Sequence, residues 1–307
     1  MVTSTETFDS GRHIEYTWRL GKICQMNNLK TVALLAFMTT LLWLVAVALF
    51  PEGGFVIGLM FAVGFNLLAY FFSDKLALAA SRAKPVTEEE LPQVYAIVRR
   101  LAQQTRMPEP RIFLIESPQP NAFATGRSPR KAAVAVTSGI LQVLTVDELE
   151  GVLAHELAHV QNRDILISSI AAMIASALTM LARMAFWFGG GSNRESPLGA
   201  IGAILSLIVA PIAAMLIRLA ISRTREFQAD ATGAETTGRP MLLASALEKI
   251  SAGTARIPMN VNPATAQLFI DNPMKAVRGG GMMKLLNTHP STEDRIDRLT
   301  RMAQGIR

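Results

Sequence analysis

Within one helical turn, His155-Glu156-Leu157-Ala158-His159 brings together two imidazoles and a carboxylate. Residues four apart on a helix share a face, so both rings can reach one tetrahedral metal ion. Glu156 lies beside that face, where a carboxylate can draw a proton from a metal-activated water. Two of the chain's four histidines sit in this turn. A catalytic site of this kind typically needs three protein ligands, so one must come from elsewhere. The single cysteine, Cys24, excludes both a CxxC metal site and an intrachain disulfide, leaving histidine and carboxylate as ligands.

Downstream, two sources stand out. His289 is the one imidazole on that side, and Ser222-Arg223-Thr224-Arg225-Glu226-Phe227-Gln228-Ala229-Asp230 carries two carboxylates four apart on a predicted helix. One carboxylate could bind metal while the other orients a ligand histidine. Taken alone, the segment reads as a solvated face pairing Glu226 and Asp230 with Arg223 and Arg225.

The elements that must position these groups divide into soluble and apolar stretches. Thr87 and Glu90 have capping-box spacing and open a helix predicted to run from Thr87 to Met107-Pro108. Arg111–Ile115 and residues 132–137 read as strands, with a polar loop containing Pro118, Pro120, Gly126 and Pro129 between them. Thr145 and Glu148 cap the helix that carries the histidines. The fold class expected is α+β, mostly helical, with a small sheet and membrane helices interrupting it.

Composition agrees with that interruption. Half of the 307 residues are hydrophobic and 18% are charged, with a mean hydropathy of +0.30. Four stretches are long enough to cross roughly 30 Å of hydrocarbon: about residues 31–50, 53–73, 165–188 and 197–217. The third contains Arg183 and is predicted to continue the histidine helix, and the fourth contains Pro211. Lys22 and Lys30 precede the first span, Lys75, Arg82 and Lys84 follow the second, and Arg218, Arg223 and Arg225 follow the fourth, whereas the hairpin tips offer only Arg194. By the positive-inside rule, both termini and residues 74–164 face the cytoplasm. The net charge of +6 therefore reads as membrane-flanking charge and not as a nucleic-acid footprint, since the aromatics lie in the apolar runs.

Five segments follow: a polar N-terminal segment at 1–30, a membrane hairpin at 31–73, the first part of a cytosolic domain at 74–164, a second hairpin at 165–217, and the second part of the domain at 218–307. Residues 1–25 show no signal-peptide pattern and read as a disordered cytosolic tail, or as residues ahead of a true initiator at Met26. The second hairpin matters for the chemistry. It returns the chain to the same membrane surface a few residues before Glu226, close to where His159 left it.

With HELAH, SRTREFQAD and four spans together, the chain from about Met26 onward resembles the gluzincin peptidases, and within them the HtpX-like membrane zinc metalloproteases. The resemblance implies one zinc ion held by His155, His159 and Glu226, Glu156 as general base, and Asp230 supporting His155. Asn121-Ala122-Phe123-Ala124 is similar to the segment with which thermolysin-like enzymes hold substrate backbone, implying an extended peptide added to a sheet edge. Thr288-His289-Pro290 resembles the family's C-terminal histidine motif, which would let His289 donate to the tetrahedral oxyanion. Two departures from the family pattern are Ser291, where relatives carry proline, and Phe227, where tyrosine is common.

The resemblance also implies polypeptide substrates, a stress-linked quality-control role in a bacterial inner (cytoplasmic) membrane, and self-cleavage; oligomeric state is left open. A CAAX prenyl protease shares the motif set but needs more spans. A transporter or channel would explain Arg183 and Pro211 inside spans, and a membrane scaffold would have no use for Glu156.

Overall fold

The computed structural model describes residues 25–26, 28–40, 43, 47, 53–174, 223–259, 261, 265–274, 276 and 290–306. Within these the protein is mostly helical with one small mixed sheet.

Helix α1 (Gly54–Ala80) carries no charged residue before Asp74. Among the described residues it contains the one stretch, Gly58–Ala80, long and apolar enough to cross a membrane. Met60, Phe61, Leu67 and Leu68 on it remain exposed. Asn66 Nδ2 donates to Leu35 O at 3.3 Å, tying α1 to the helical residues 28–40 before it. The helix continues past the predicted end at residue 73 because its next turns have a partner. Leu78 packs in one cluster with Phe113 and Phe123 of the sheet.

The sheet runs β1-β2-β4-β3, with β1 (Lys84–Pro85), β2 (Arg111–Ile115), β3 (Ala122–Thr125) and β4 (Ala133–Thr137). β2 and β4 are parallel, pairing Phe113 with Ala135, and β3 lies antiparallel to β4, pairing Phe123 with Ala135. Strand β3 lies inside what the sequence presents as a polar loop. Its four residues are all buried, and flanking Pro120 and Gly126 disguise it as a connection.

Helix α2 (Pro92–Gln104) starts five residues later than expected. Thr87 N–H does donate to Glu90 Oε2 at 2.7 Å, but Pro92 forces Leu91 out of helical geometry, at φ −132°. The capping residues therefore close a separate turn, and Pro92 opens the helix.

A short helix α3 (Ser138–Val143) leads to α4 (Val146–Gln161), whose capping box forms as expected: Thr145 N–H donates to Glu148 Oε2 at 2.8 Å and Glu148 N–H to Thr145 Oγ1 at 3.3 Å. Helix α4 does not run on into the third apolar stretch. It breaks at Asn162-Arg163, where Arg163 takes φ 56°, and α5 (Asp164–Ile174) sets off anew. Residues 175–222 lie outside the described ones, and with them the rest of the third expected span and all of the fourth.

Helices α6 (Arg223–Thr237), α7 (Pro240–Arg256) and α8 (Thr292–Ala303) complete the fold. Leu149, Val152, Leu153 and Leu157 of α4 share a core with Leu243, Leu247 and Ile250 of α7, Leu299 of α8 and the inner face of the sheet. Two glycines let the helices meet closely. A Cβ on Gly151 would sit 2.8 Å from Leu243 N, and one on Gly233 would sit 2.9 Å from His155 N.

Candidate active site

The approach at Gly233 draws α6 onto the histidine turn of α4. His155 Nε2 and His159 Nε2 lie 3.2 Å apart. Glu226 presents Oε2 at 3.9 Å from His155 Nε2 and Oε1 at 3.6 Å from His159 Nε2. Ligand atoms from these three residues all fall within 4.8 Å of one another. A tetrahedral zinc with bonds near 2.0–2.1 Å would hold its donors about 3.3 Å apart, so the set fits with small adjustments. His155 is wholly buried and Glu226 is 6% exposed, with Arg295 Nη1 4.0 Å from its Oε2.

Each imidazole has a carboxylate on its far nitrogen. Asp230 Oδ1 lies 2.9 Å from His155 Nδ1, and Asp164 Oδ2 lies 3.3 Å from His159 Nδ1. Such partners fix the ring and leave Nε2 for a metal. Asp230, one turn beyond Glu226, is in turn gripped by Arg295 of α8, with Nε to Oδ2 at 2.9 Å and Nη2 to Oδ1 at 2.6 Å. Arg295 Nη1 also donates to Ile270 O at 3.1 Å. Neither Asp164 nor Arg295 is distinguished by the sequence reading. Asp164 follows His159 by five residues, a spacing that serves only because Arg163 turns the chain back. Arg295 lies 140 residues from His155, with no local pattern to mark it.

Electrostatics differ across the cluster. Burial, with the Arg295 charge nearby, pulls the His155 imidazole down to about 4. His159 goes the other way. Burial opposes its charge, but the hydrogen bond to Asp164 and the Glu226 carboxylate prevail and push it up to about 9. Asp230 is held down at about 2, burial being outweighed by Arg295 and His155. Glu156 is pushed up to about 7, chiefly by burial, with Glu226 adding to it against the opposing charge of His159. The Glu156 carboxylate accepts a hydrogen bond from the Ala124 backbone N–H. Its Oε1 is buried and has no hydrogen-bond partner among the described residues, which leaves that oxygen for a ligand of the site.

Asn121 and β3 line the same region, but part of this edge is already engaged. Ile270 N–H donates to Ala122 O at 2.8 Å, and Asn121 Nδ2 donates to Asp271 O at 2.9 Å. Phe123 turns to the other face, its ring 4.9 Å from that of Phe269. Ala124 is the residue of the four whose backbone addresses the Glu156 carboxylate. His289 lies outside the described residues. Ser291 caps α8, its Oγ accepting from Asp294 N–H at 3.0 Å, and Phe227 lies under the Arg298 guanidinium at 3.6 Å.

A helix-borne pair of histidines with an intervening glutamate, joined by a carboxylate from a second helix beside a small sheet, defines a metalloprotease. The chain belongs to peptidase family M48, whose family model matches residues 88–303. It is 48% identical over 285 residues to a protein named protease HtpX homolog from Thermococcus sibiricus, covering 91% of this chain and 97% of the relative. In structure it is similar to Ste24p of S. mikatae, with a TM-score of 0.48 and 21% identity, covering 91% of this chain and 66% of that one.

Proposed function

We propose that the protein is a zinc-dependent endopeptidase that cleaves membrane or misfolded polypeptides at the cytoplasmic surface of a cell membrane, as part of protein quality control. His155, His159 and Glu226 hold the metal, and Asp230 and Asp164 orient the two imidazoles. The observation that carries this reading is the convergence of three donor atoms from α4 and α6 within 4.8 Å, although 66 residues separate His159 from Glu226 in sequence.

A bound zinc ion supplies Lewis acidity that makes water a nucleophile near neutral pH. Glu156 takes the proton from the attacking water on Oε1 and returns it to the leaving amide nitrogen. Its raised proton affinity suits both steps near neutrality. Ala124 N–H holds the other side of that carboxylate in place. The remaining outward groups of β3 align an extended peptide across the site, and His289 donates to the developing oxyanion.

The membrane part of the reading rests on α1 and its exposed apolar side chains. We assign four spans, at 31–50, 53–73, 165–188 and 197–217, with both termini and the protease domain in the cytoplasm. The domain is thus assembled from 74–164 and 218–307 around the second hairpin.

Metal analysis of purified full-length protein beside two variants tests the site. Glu156→Gln should keep stoichiometric zinc yet lose about 10²–10⁴-fold of its cleavage of unfolded casein. Glu226→Ala should lose the zinc itself. Undiminished zinc in Glu226→Ala, or undiminished cleavage by Glu156→Gln, would overturn the respective role.

A further inference from the structure

Where the uncharged run of α1 ends, a cleft of about 430 Å³ opens between that helix and the sheet. Phe71, Phe72, Asp74 and Lys75 of α1 line one wall. Arg111 from the start of β2, and Arg127, Arg130 and Lys131 from the β3–β4 connection, line the other. Five cations from three separate parts of the chain thus face one cavity, and Asp74 is the one carboxylate among the lining residues. Arg111 takes that carboxylate at 3.1 Å. Lys75, Arg127, Arg130 and Lys131 have no ion-pair partner among the described residues.

Such a gathering is unfavourable in isolation, because like charges within a Debye length of roughly 8 Å repel. The fold nevertheless holds it in place. Gly126 adopts φ +141°, and a Cβ there would lie 2.8 Å from both Ala132 Cα and Lys131 O, so the connection folds tightly back on itself. A 3₁₀ turn over Pro129–Lys131 then sets two of the cations. Arg127 lies 4.9 Å over the Phe71 ring and Lys75 lies 5.3 Å over Phe72, so each is braced by an aromatic face. Phe71 and Phe72 themselves stay 46% and 43% exposed, continuing the apolar surface of α1 down to the charges.

We propose that this cleft is a binding site for the phosphate of an anionic phospholipid headgroup, with the acyl chains lying along α1. The proposal rests on the reading of α1 as a membrane span. Guanidinium forks suit phosphate oxygens, and basic clefts beside spans recognise such headgroups. A soluble phosphorylated polypeptide would find the cations but would have no use for the apolar face running on from them. The bound lipid would seat the first hairpin against β3 and β4, on the sheet that flanks the catalytic glutamate.

The test uses full-length protein with two charge-matched variants. One removes cleft cations, Arg127→Gln with Arg130→Gln and Lys131→Gln. The other removes three exposed cations outside the cleft, Arg106→Gln with Arg256→Gln and Arg301→Gln. Each is reconstituted into small discs of phosphatidylcholine with a minority of phosphatidylglycerol, and the lipids retained around the protein are quantified. Wild type and the outside variant should be enriched in phosphatidylglycerol, and the cleft variant should lose about tenfold or more of that enrichment. The Arg130→Gln with Lys131→Gln double variant leaves the Arg127–Phe71 contact intact and should show a partial loss at unchanged thermal midpoint. No enrichment in wild type, or equal loss in both triple variants, would overturn the proposal. So would displacement of the lipid by inorganic phosphate or by a phosphopeptide at comparable concentration. Failure of wild type to float with neutral vesicles would instead overturn the membrane reading beneath it.

Discussion

On its inner side, toward α6 and α8, helix α4 presents His155 to Asp230, and Asp230 to the bidentate grip of Arg295. On its outer side, toward α5, it presents His159 to Asp164, whose Oδ1 lies 3.9 Å from the buried Arg225 Nη1, a longer contact than the bidentate one of Arg295, and His159 is partly exposed. The inner imidazole is pulled down to about 4 and the outer one is pushed up to about 9. Two residues one turn apart thus do different work. The inner side is built into the fold, because Arg295 also holds Ile270 and so links three segments. The outer side sets how strongly protons compete with metal.

The comparison breaks most visibly at Arg295. Arg295→Met leaves Asp230 buried without its guanidinium, and loss of one partner of a buried pair costs about 3–5 kcal/mol. Denaturant unfolding of the metal-free protein should register that loss. Asp164→Asn should cost less in the same measurement, because its carboxylate meets Arg225 at 3.9 Å and not in a bidentate grip, yet weaken zinc binding about 10–100-fold in chelator competition. Equal destabilisation by the two substitutions would dissolve the distinction between the sides.

A finer test is the pH dependence of zinc affinity. Ligation requires neutral imidazoles, so a proton must leave His159 whenever the solution is more acidic than about 9. Affinity should therefore climb about tenfold per pH unit toward that point and then level off. Asp164→Asn removes a group that favours the imidazolium, so the levelling should move to lower pH. Asp230→Asn acts on His155, already neutral over that range, and should leave the levelling point where it was. Smallest of all is the cap remote from both sides: Thr145→Ala should cost about 1 kcal/mol of stability without changing the ratio of zinc affinities between the Asp164 and Asp230 variants.

What could be read from the sequence divides along the same line. His155, Glu156 and His159 announce themselves because their geometry is set within one helical turn, and Glu226 with Asp230 repeat that spacing on α6. The Thr145–Glu148 box and β2 are equally local. Arg295 and Asp164 are different. One acts across a long sequence separation, and the other depends on a left-handed residue at Arg163 that no propensity would select. Strand β3 was hidden for a related reason, since pairing with β4 and burial hold it extended despite flanking residues that signal a turn. The Thr87 cap was legible, but Pro92 decided where the helix could begin.

Gly233 carries a consequence for what mutation can do to this enzyme. Glu226 and Asp230 lie earlier on the same helix, so the distance of α6 from α4 fixes both the carboxylate we propose as the metal's third donor and the support behind His155. Metal–ligand distances tolerate only about 0.2 Å of error, whereas a single methyl group at residue 233 would meet His155 N at 2.9 Å and displace the helix by more than that slack. A position with no side chain, no charge and no role in the chemistry therefore acts as the gauge for the metal site. A change there would give a protein whose catalytic residues are all in place in the sequence and out of reach in space.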